Sequence, residues 1–242
     1  MNRVALVTGA SRGIGRAIAL RLAKDGFAIA VGYAGQKAKA DEVVDAITAA
    51  GGKAVPVQAD IAKSIEVERM FDLAEAALGP INAVVNSAGM LKMIPMKDFS
   101  DADFAAIMGA NVTGAFNVMR AAANRMPDGG RIVNISTTVV ATAMPNYGPY
   151  AASKAAVDLM TRVMAGEMRG RSITVNAVAP GATGTDLFYE GKSEEFIARL
   201  AKASPLERIA DPDDIAPVVA FLCSPEGGWV NGQIVRANGG VA

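Results

Sequence analysis

The chain has 242 residues, with 24 Lys and Arg against 24 Asp and Glu, no His, one Cys and 51% hydrophobic side chains. That length supplies a sizeable core, and zero formal charge leaves no electrostatic footprint for nucleic acid or an acidic membrane surface. Without His there is no Ser/His/Asp triad, His-bound zinc or imidazole acid–base pair, and a lone Cys223 rules out a disulfide framework or CxxC site.

No metal site is therefore expected, and the chemistry falls to hydroxyls, amines, carboxylates or a borrowed cofactor. Strands are predicted over 4–7, 28–33, 54–57, 83–86, 131–136, 174–179 and 233–236. Helical patterns fill the intervals at 14–24, 38–50, 65–78, 103–125, 151–168 and 213–223. The first strand (Val4, Ala5, Leu6, Val7) and the pair Val84, Val85 are apolar without alternation, as parallel strands covered on both faces must be. In the 38–50 helix, Val43, Val44 and Ile47 share one face. Such alternation predicts right-handed βαβ crossovers and an α/β, doubly wound, three-layer fold. No repeat, low-complexity segment or linker divides it, so 1–242 reads as a single domain.

The stretch from Gly181 to Pro205 breaks the alternation, carrying Leu187, Phe188, Tyr189 and then Lys192 to Glu195. A long connection there suggests a substrate lid at about 183–205. No apolar run approaches the ~18 residues that span a bilayer. The first strand reaches Thr8 and Gly9 before a signal peptide's apolar stretch is complete, so a cytoplasmic protein without a membrane partner is expected.

The first strand runs into Thr8, Gly9, Ala10, Ser11, Arg12, Gly13, Ile14 and Gly15, and a helix follows. Glycines at this place let the backbone turn tightly and approach a pyrophosphate at the positive end of the helix. S-adenosylmethionine enzymes use similar turns, which keeps a methyltransferase in view. The second strand ends in Tyr33, Ala34, Gly35, Gln36 and Lys37, without the carboxylate that binds the ribose 2′-hydroxyl of NAD. With Arg12, Lys37 and Lys39 nearby to attract a 2′-phosphate, NADP(H) is preferred over NAD(H). Asp60 and Ile61 follow the third strand; Asp60 suits an adenine contact or a helix cap equally. Asn86, Ser87, Ala88 and Gly89 end the fourth strand, where sheet order is expected to reverse and ligands to bind.

Tyr150 and Lys154 lie one helical turn apart on the same face. An ammonium at ~4 Å and an effective dielectric of ~20 contributes about 4 kcal/mol, enough to bring a phenol of pKa near 10 toward neutrality. There it serves best as a general acid or base.

With Tyr150 and Lys154 at the correct separation from the Thr8–Gly15 turn, and with Asp60, Asn86–Gly89, Asn111, Pro180, Gly181 and Thr185, the chain resembles the short-chain dehydrogenase/reductase family along its whole length. The resemblance implies a Rossmann-like fold with a seven-stranded parallel sheet, a homotetramer, and hydride exchange between NAD(P)H and a carbonyl. It implies that Tyr150 protonates the developing alkoxide, that Lys154 lowers its pKa and binds the nicotinamide ribose, and that Asn111 holds a water linking Lys154 to solvent. Pro180, Gly181 and Thr183 to Thr185 would hold the nicotinamide carboxamide. Where the family has a Ser twelve or thirteen residues before the Tyr, this chain has Thr138 and Thr137, and either hydroxyl suits the role.

Tyr147 precedes Lys154 by seven, the spacing that resembles enoyl reductases, but an intact Tyr150 favours C=O over C=C reduction and leaves Tyr147 as a pocket wall. Met90, Met93, Ile94, Met144, Leu187 and Phe188 are candidate pocket residues, matching a mostly apolar carbonyl substrate. The family's 3-oxoacyl-(acyl-carrier-protein) reductases and its NADPH-dependent aldehyde and ketone reductases both look similar. A nucleotide sensor without turnover is the non-enzymatic alternative.

Overall fold

A computed structural model describes residues 3–242. Seven parallel strands form one sheet in the order β3-β2-β1-β4-β5-β6-β7: β1 Arg3–Thr8, β2 Phe27–Tyr33, β3 Ala54–Gln58, β4 Ile81–Asn86, β5 Arg131–Ile135, β6 Thr174–Pro180 and β7 Ile234–Ala237. β1 pairs with β2 from Arg3–Phe27 to Val7–Val31 and with β4 as far as Thr8–Asn86. The order reverses at β1 and β4, so their carboxyl ends open a crevice.

Burial on both faces explains the apolar runs. Ala5 and Val7 of β1 face a cluster with Ile29, Val31, Ile18, Leu22, Val43, Ile215 and Val219. The last five come from α1 (Gly13–Lys24), α2 (Lys37–Ala49) and α10 (Pro212–Cys223). Val4 and Leu6 face the other way, onto Val67, Phe71, Val118, Ala122 and Met164. Those side chains belong to α3 (Ser64–Leu78), α5 (Gly114–Arg125) and α7 (Gly148–Glu167). A helix layer thus covers each face of the sheet, the three-layer Rossmann-like arrangement that the alternation predicts. No helix among the described residues is long and apolar enough to cross a membrane.

Two regions depart from the predicted elements. The single helix expected over 103–125 is α4 (Asp101–Met108), a π-helical turn (Gly109–Thr113) and α5. Ser100 starts α4 by accepting a hydrogen bond from the Asp103 amide at 3.1 Å. The 181–205 connection holds two helices, α8 (Asp186–Tyr189) and α9 (Glu194–Ala203), capped by the side chains of Thr185 and Ser193. A short α6 (Val139–Thr142) follows β5, and α7 begins at Gly148, with Pro149 in its first turn.

Candidate active site

The carboxyl ends of β1, β4, β5 and β6 surround a cleft of about 590 Å³. At one end stands the glycine turn. Gly9 (φ 65°) and Gly13 (φ 54°) adopt left-handed backbone. A Cβ on Gly9 would lie 2.8 Å from the Ala88 Cα, and one on Gly15 only 2.2 Å from the Gly9 carbonyl oxygen. The turn is bare backbone by steric necessity, and it opens α1. That donor-rich, side-chain-free N-terminus fits a dinucleotide pyrophosphate.

Behind the turn, Thr8 Oγ1 donates to Asn86 Oδ1 at 2.9 Å and accepts from the Ser87 and Ala88 amides at 3.1 Å each. Asn86 Nδ2 continues to Asn134 at 3.4 Å, and Asn134 donates to Thr161 at 2.9 Å. This buried network locks the ends of β1 and β4 together. Asn86 is buried behind the cleft, so it braces Ala88 and Gly89 and does not face the cleft as expected of a cofactor contact.

The remaining predicted cofactor residues line the cleft: Gly9, Ser11, Arg12, Gly13, Ile14, Gly15, Tyr33, Asp60, Ile61, Ala88, Gly89, Pro180, Gly181, Thr183 and Thr185. Asp60 does not cap α3, whose N-cap is Lys63; its carboxylate accepts from the Ala62 amide at 3.1 Å. Of the three cations expected near a 2′-phosphate, Lys37 pairs with Asp41 at 2.6 Å and Lys39 with Asp186 at 3.6 Å. Arg12 forms no ion pair among the described residues.

Tyr150 and Lys154 project from α7 into the middle of the cleft. Lys154 is 6% exposed, and its ammonium donates to the Ile135 carbonyl at 2.7 Å. Burial pushes this lysine down to about 8. Burial pushes the Tyr150 phenol the other way, to about 12, while the Thr137 hydroxyl beside it pulls it down. The expected lowering of the phenol by Lys154 is therefore not what the structure has. Desolvation dominates, and the ammonium is directed at the end of β5.

Thr137 and Thr138, equivalent by spacing, differ in surroundings. Thr138 Oγ1 accepts from Asn238 Nδ2 at 3.1 Å and lies 3.4 Å from the Ala179 carbonyl, a tether between β6 and the chain end. Thr137 Oγ1 accepts from the Val139 amide at 3.2 Å and stands beside Tyr150. Asn111, in the π turn, is 1% exposed and does not line the cleft. Its side chain bonds both the amide and carbonyl of Met90 at 2.9 Å and the Ser153 hydroxyl at 3.0 Å. A Cβ on Gly89 would meet Asn111 Oδ1 at 3.0 Å and Lys154 Nζ at 3.4 Å, so these three positions are packed as one unit.

Met90, Met144, Leu187 and Phe188 line the cleft as expected, and Tyr147 forms a wall with its ring centroid 6.3 Å from that of Tyr150. Met93 and Ile94 do not line it, because the Ile94 amide is drawn to the Asn146 carbonyl at 3.0 Å. Val139, Leu200 and Lys192 line it without having been singled out; Leu200 and Lys192 are brought in by the fold of α8 and α9.

A family model described as Enoyl-(Acyl carrier protein) reductase matches residues 9–242. Over 249 residues the chain is 47% identical to a short-chain type dehydrogenase/reductase of Picea abies, covering 99% of this chain and 92% of the relative. The chain is a short-chain dehydrogenase/reductase. It thus belongs to an oxidoreductase family. It is also 42% identical, over 99% of its length and 94% of the relative's, to an NADPH-dependent aldehyde reductase-like protein, chloroplastic, of Arabidopsis thaliana. A short chain dehydrogenase from Burkholderia cenocepacia, solved in complex with NADP, superposes with a TM-score of 0.94 at 35% identity, covering 99% of this chain and 97% of that one.

The opposed pKa directions make a stability prediction. Between pH 8 and 10.5 folded Lys154 has released a proton that the unfolded chain still holds, so this group adds stability as pH rises. Lys154→Met has no such proton. The wild type gains on Lys154→Met by about 3 kcal/mol across that interval in urea unfolding. Cys223 and Tyr150, both raised to about 12 by burial, oppose the rise but act equally in both proteins. A constant difference between the two proteins from pH 8 to 10.5 contradicts the burial argument.

Proposed function

We propose that this protein is an NADPH-dependent reductase that converts a carbonyl to an alcohol with Tyr150 as general acid. The observation that carries the reading is the junction, in one cleft, of a bare-backbone dinucleotide turn with Tyr150, Thr137 and Lys154. A reduced nicotinamide, when bound, supplies the hydride. Gly9, Ser11, Gly13, Ile14 and Gly15 would hold its pyrophosphate, and Gly181, Thr183 and Thr185, which line the same cleft, would hold its nicotinamide carboxamide. Arg12, which pairs with no carboxylate among the described residues, supports NADP(H) over NAD(H).

Burial keeps the Tyr150 phenol protonated at neutral pH, which is the state an acid needs. As negative charge develops on the substrate oxygen, the phenolic O–H bond breaks and the proton moves to that oxygen. An alkoxide is a stronger base than a phenolate, so the transfer runs downhill. The Thr137 hydroxyl holds the same oxygen in line. Lys154, held by the Ile135 carbonyl in the same cleft, would bind the nicotinamide ribose, and Asn111 fixes Gly89 and Met90 beside it.

Thr137→Val keeps the shape and removes the hydroxyl, so kcat/KM for a carbonyl falls about 10–100-fold. Thr138→Val lowers thermal stability and costs turnover far less. Equal loss in both variants argues against this assignment. The function itself is tested by cofactor consumption over aldehydes, ketones, diketones, quinones and β-ketoacyl thioesters, with NADPH and with NADH. The buried Tyr147, as the tyrosine seven before Lys154, favours saturation of a C=C bond as a second reading. NADPH oxidation by enoyl thioesters but by no carbonyl would establish that reading instead.

A homotetramer is supported by apolar side chains left exposed on the neighbouring helices α4, α5 and α7, namely Phe104, Phe116, Leu159 (63% exposed) and Val163, and by the exposed Trp229 (98%). The α8–α9 segment is the proposed substrate lid, and the cytoplasm the proposed compartment, supported by a single Cys223 that has no partner for a disulfide.

A further inference from the structure

Several residues that line the cleft are apolar, Val139, Met144, Leu187, Phe188 and Leu200 among them, and the Asp186 carboxylate that also lines it is paired with Lys39. One cation interrupts them. Lys192, between α8 and α9, lines the same cleft and is half-buried there. Its ammonium donates to the Phe188 carbonyl at 2.5 Å and lies 4.9 Å from the centroid of the Phe188 ring. It forms no ion pair with any carboxylate among the described residues. An ammonium carries three donors, and among the described residues one of them is used, on the Phe188 carbonyl.

A charge taken out of water among apolar walls is costly unless an opposite charge meets it. A ring face and one carbonyl compensate only in part. Desolvation accordingly pushes the lysine below its ordinary value, with Glu190 opposing at longer range. We infer that Lys192 is a recognition site for a carboxylate carried by the substrate, so that the physiological carbonyl compound is an apolar oxo acid held between the lid cation and Tyr150. This rests on the carbonyl-reductase reading and narrows its substrate class. The apolar walls grip the body of such a molecule, Thr137 and Tyr150 take its carbonyl, and the other two donors of Lys192 take its far end.

The experiment uses matched substrates, 4-carboxybenzaldehyde and its methyl ester, with NADPH. Wild type favours the acid over the ester by about tenfold in kcat/KM, mainly through KM, as one charge-assisted contact predicts. Lys192→Met brings that ratio to about one, and Lys192→Arg restores most of it. A variant that lowers acid and ester alike, with the ratio intact, overturns the inference and leaves Lys192 as a cap for the end of α8. A raised KM for NADPH with the ratio intact overturns it too, assigning the cation to a cofactor phosphate. Turnover of the ester with no preference for the acid in wild type overturns the inference alone. Turnover of neither compound, together with silence across the carbonyl panel, overturns the reductase reading and the inference with it.

Discussion

Tyr150→Phe abolishes carbonyl reduction, with kcat falling about 10²–10⁴-fold, the span that a positioned proton donor supplies. The substitution removes one oxygen from a phenol that burial holds at about 12, so packing in α7 and against Tyr147 is retained. NADPH affinity should change little, since Lys154 and the glycine turn stay in place. The measurement is single-turnover NADPH oxidation alongside calorimetric NADPH binding. Turnover near wild type with binding intact would remove Tyr150 from the chemistry and leave the cleft as a nucleotide sensor's. Loss of both turnover and binding would mean that the phenol serves the cofactor rather than the proton.

The second large effect is expected at the turn. Gly9→Ala must place a Cβ 2.8 Å from the Ala88 Cα while holding φ at 65°. Left-handed backbone costs an L-residue roughly 1–2 kcal/mol, and a clash against main chain that cannot rotate away adds about 1–3 kcal/mol. A total of about 2–5 kcal/mol lowers the melting temperature by roughly 4–20 °C in a chain of this size. The turn can relieve the clash only by moving into the space proposed for the pyrophosphate, so NADPH binding weakens by about 100-fold or more. Gly166→Ala is the control. A Cβ there meets nothing within 4 Å, and the position is helical. If Gly9→Ala melts and binds NADPH like this control, the steric account of the turn is wrong.

Much of the fold was legible because burial on both faces leaves a simple signature. Val4 to Val7 read as an interior strand since helices on either side require apolar side chains at successive positions. Tyr150 and Lys154 were legible because helical spacing alone puts them on one face. The choice between Thr137 and Thr138 was not, since it depends on how the chain leaves β5 and on Asn238, a hundred residues away in sequence. The pKa of Tyr150 was misjudged because Coulomb's law between neighbours neglects desolvation and the Ile135 carbonyl that engages Lys154. The helices α8 and α9 carried a signal that went unused: Ser193 followed by Glu194 and Glu195 is an N-cap with an acidic first turn. With them went Lys192. The π turn had no signal at all, since its residues suit an ordinary helix equally well.

That π turn has a consequence for how the chain tolerates changes of length. One residue more than an α-helical turn needs is stored between Gly109 and Thr113. Deleting a single residue there would give an uninterrupted α-helix with its two ends still in phase, whereas the same deletion in a regular helix rotates everything after it by about 100°. Val118 and Ala122 would still face the sheet and Phe116 would stay outward. What a one-residue deletion would remove is therefore the widened turn that presents Asn111, with the core packing of α5 kept. The extra residue thus widens the backbone at one point while the helical halves on either side keep the faces they would have without it.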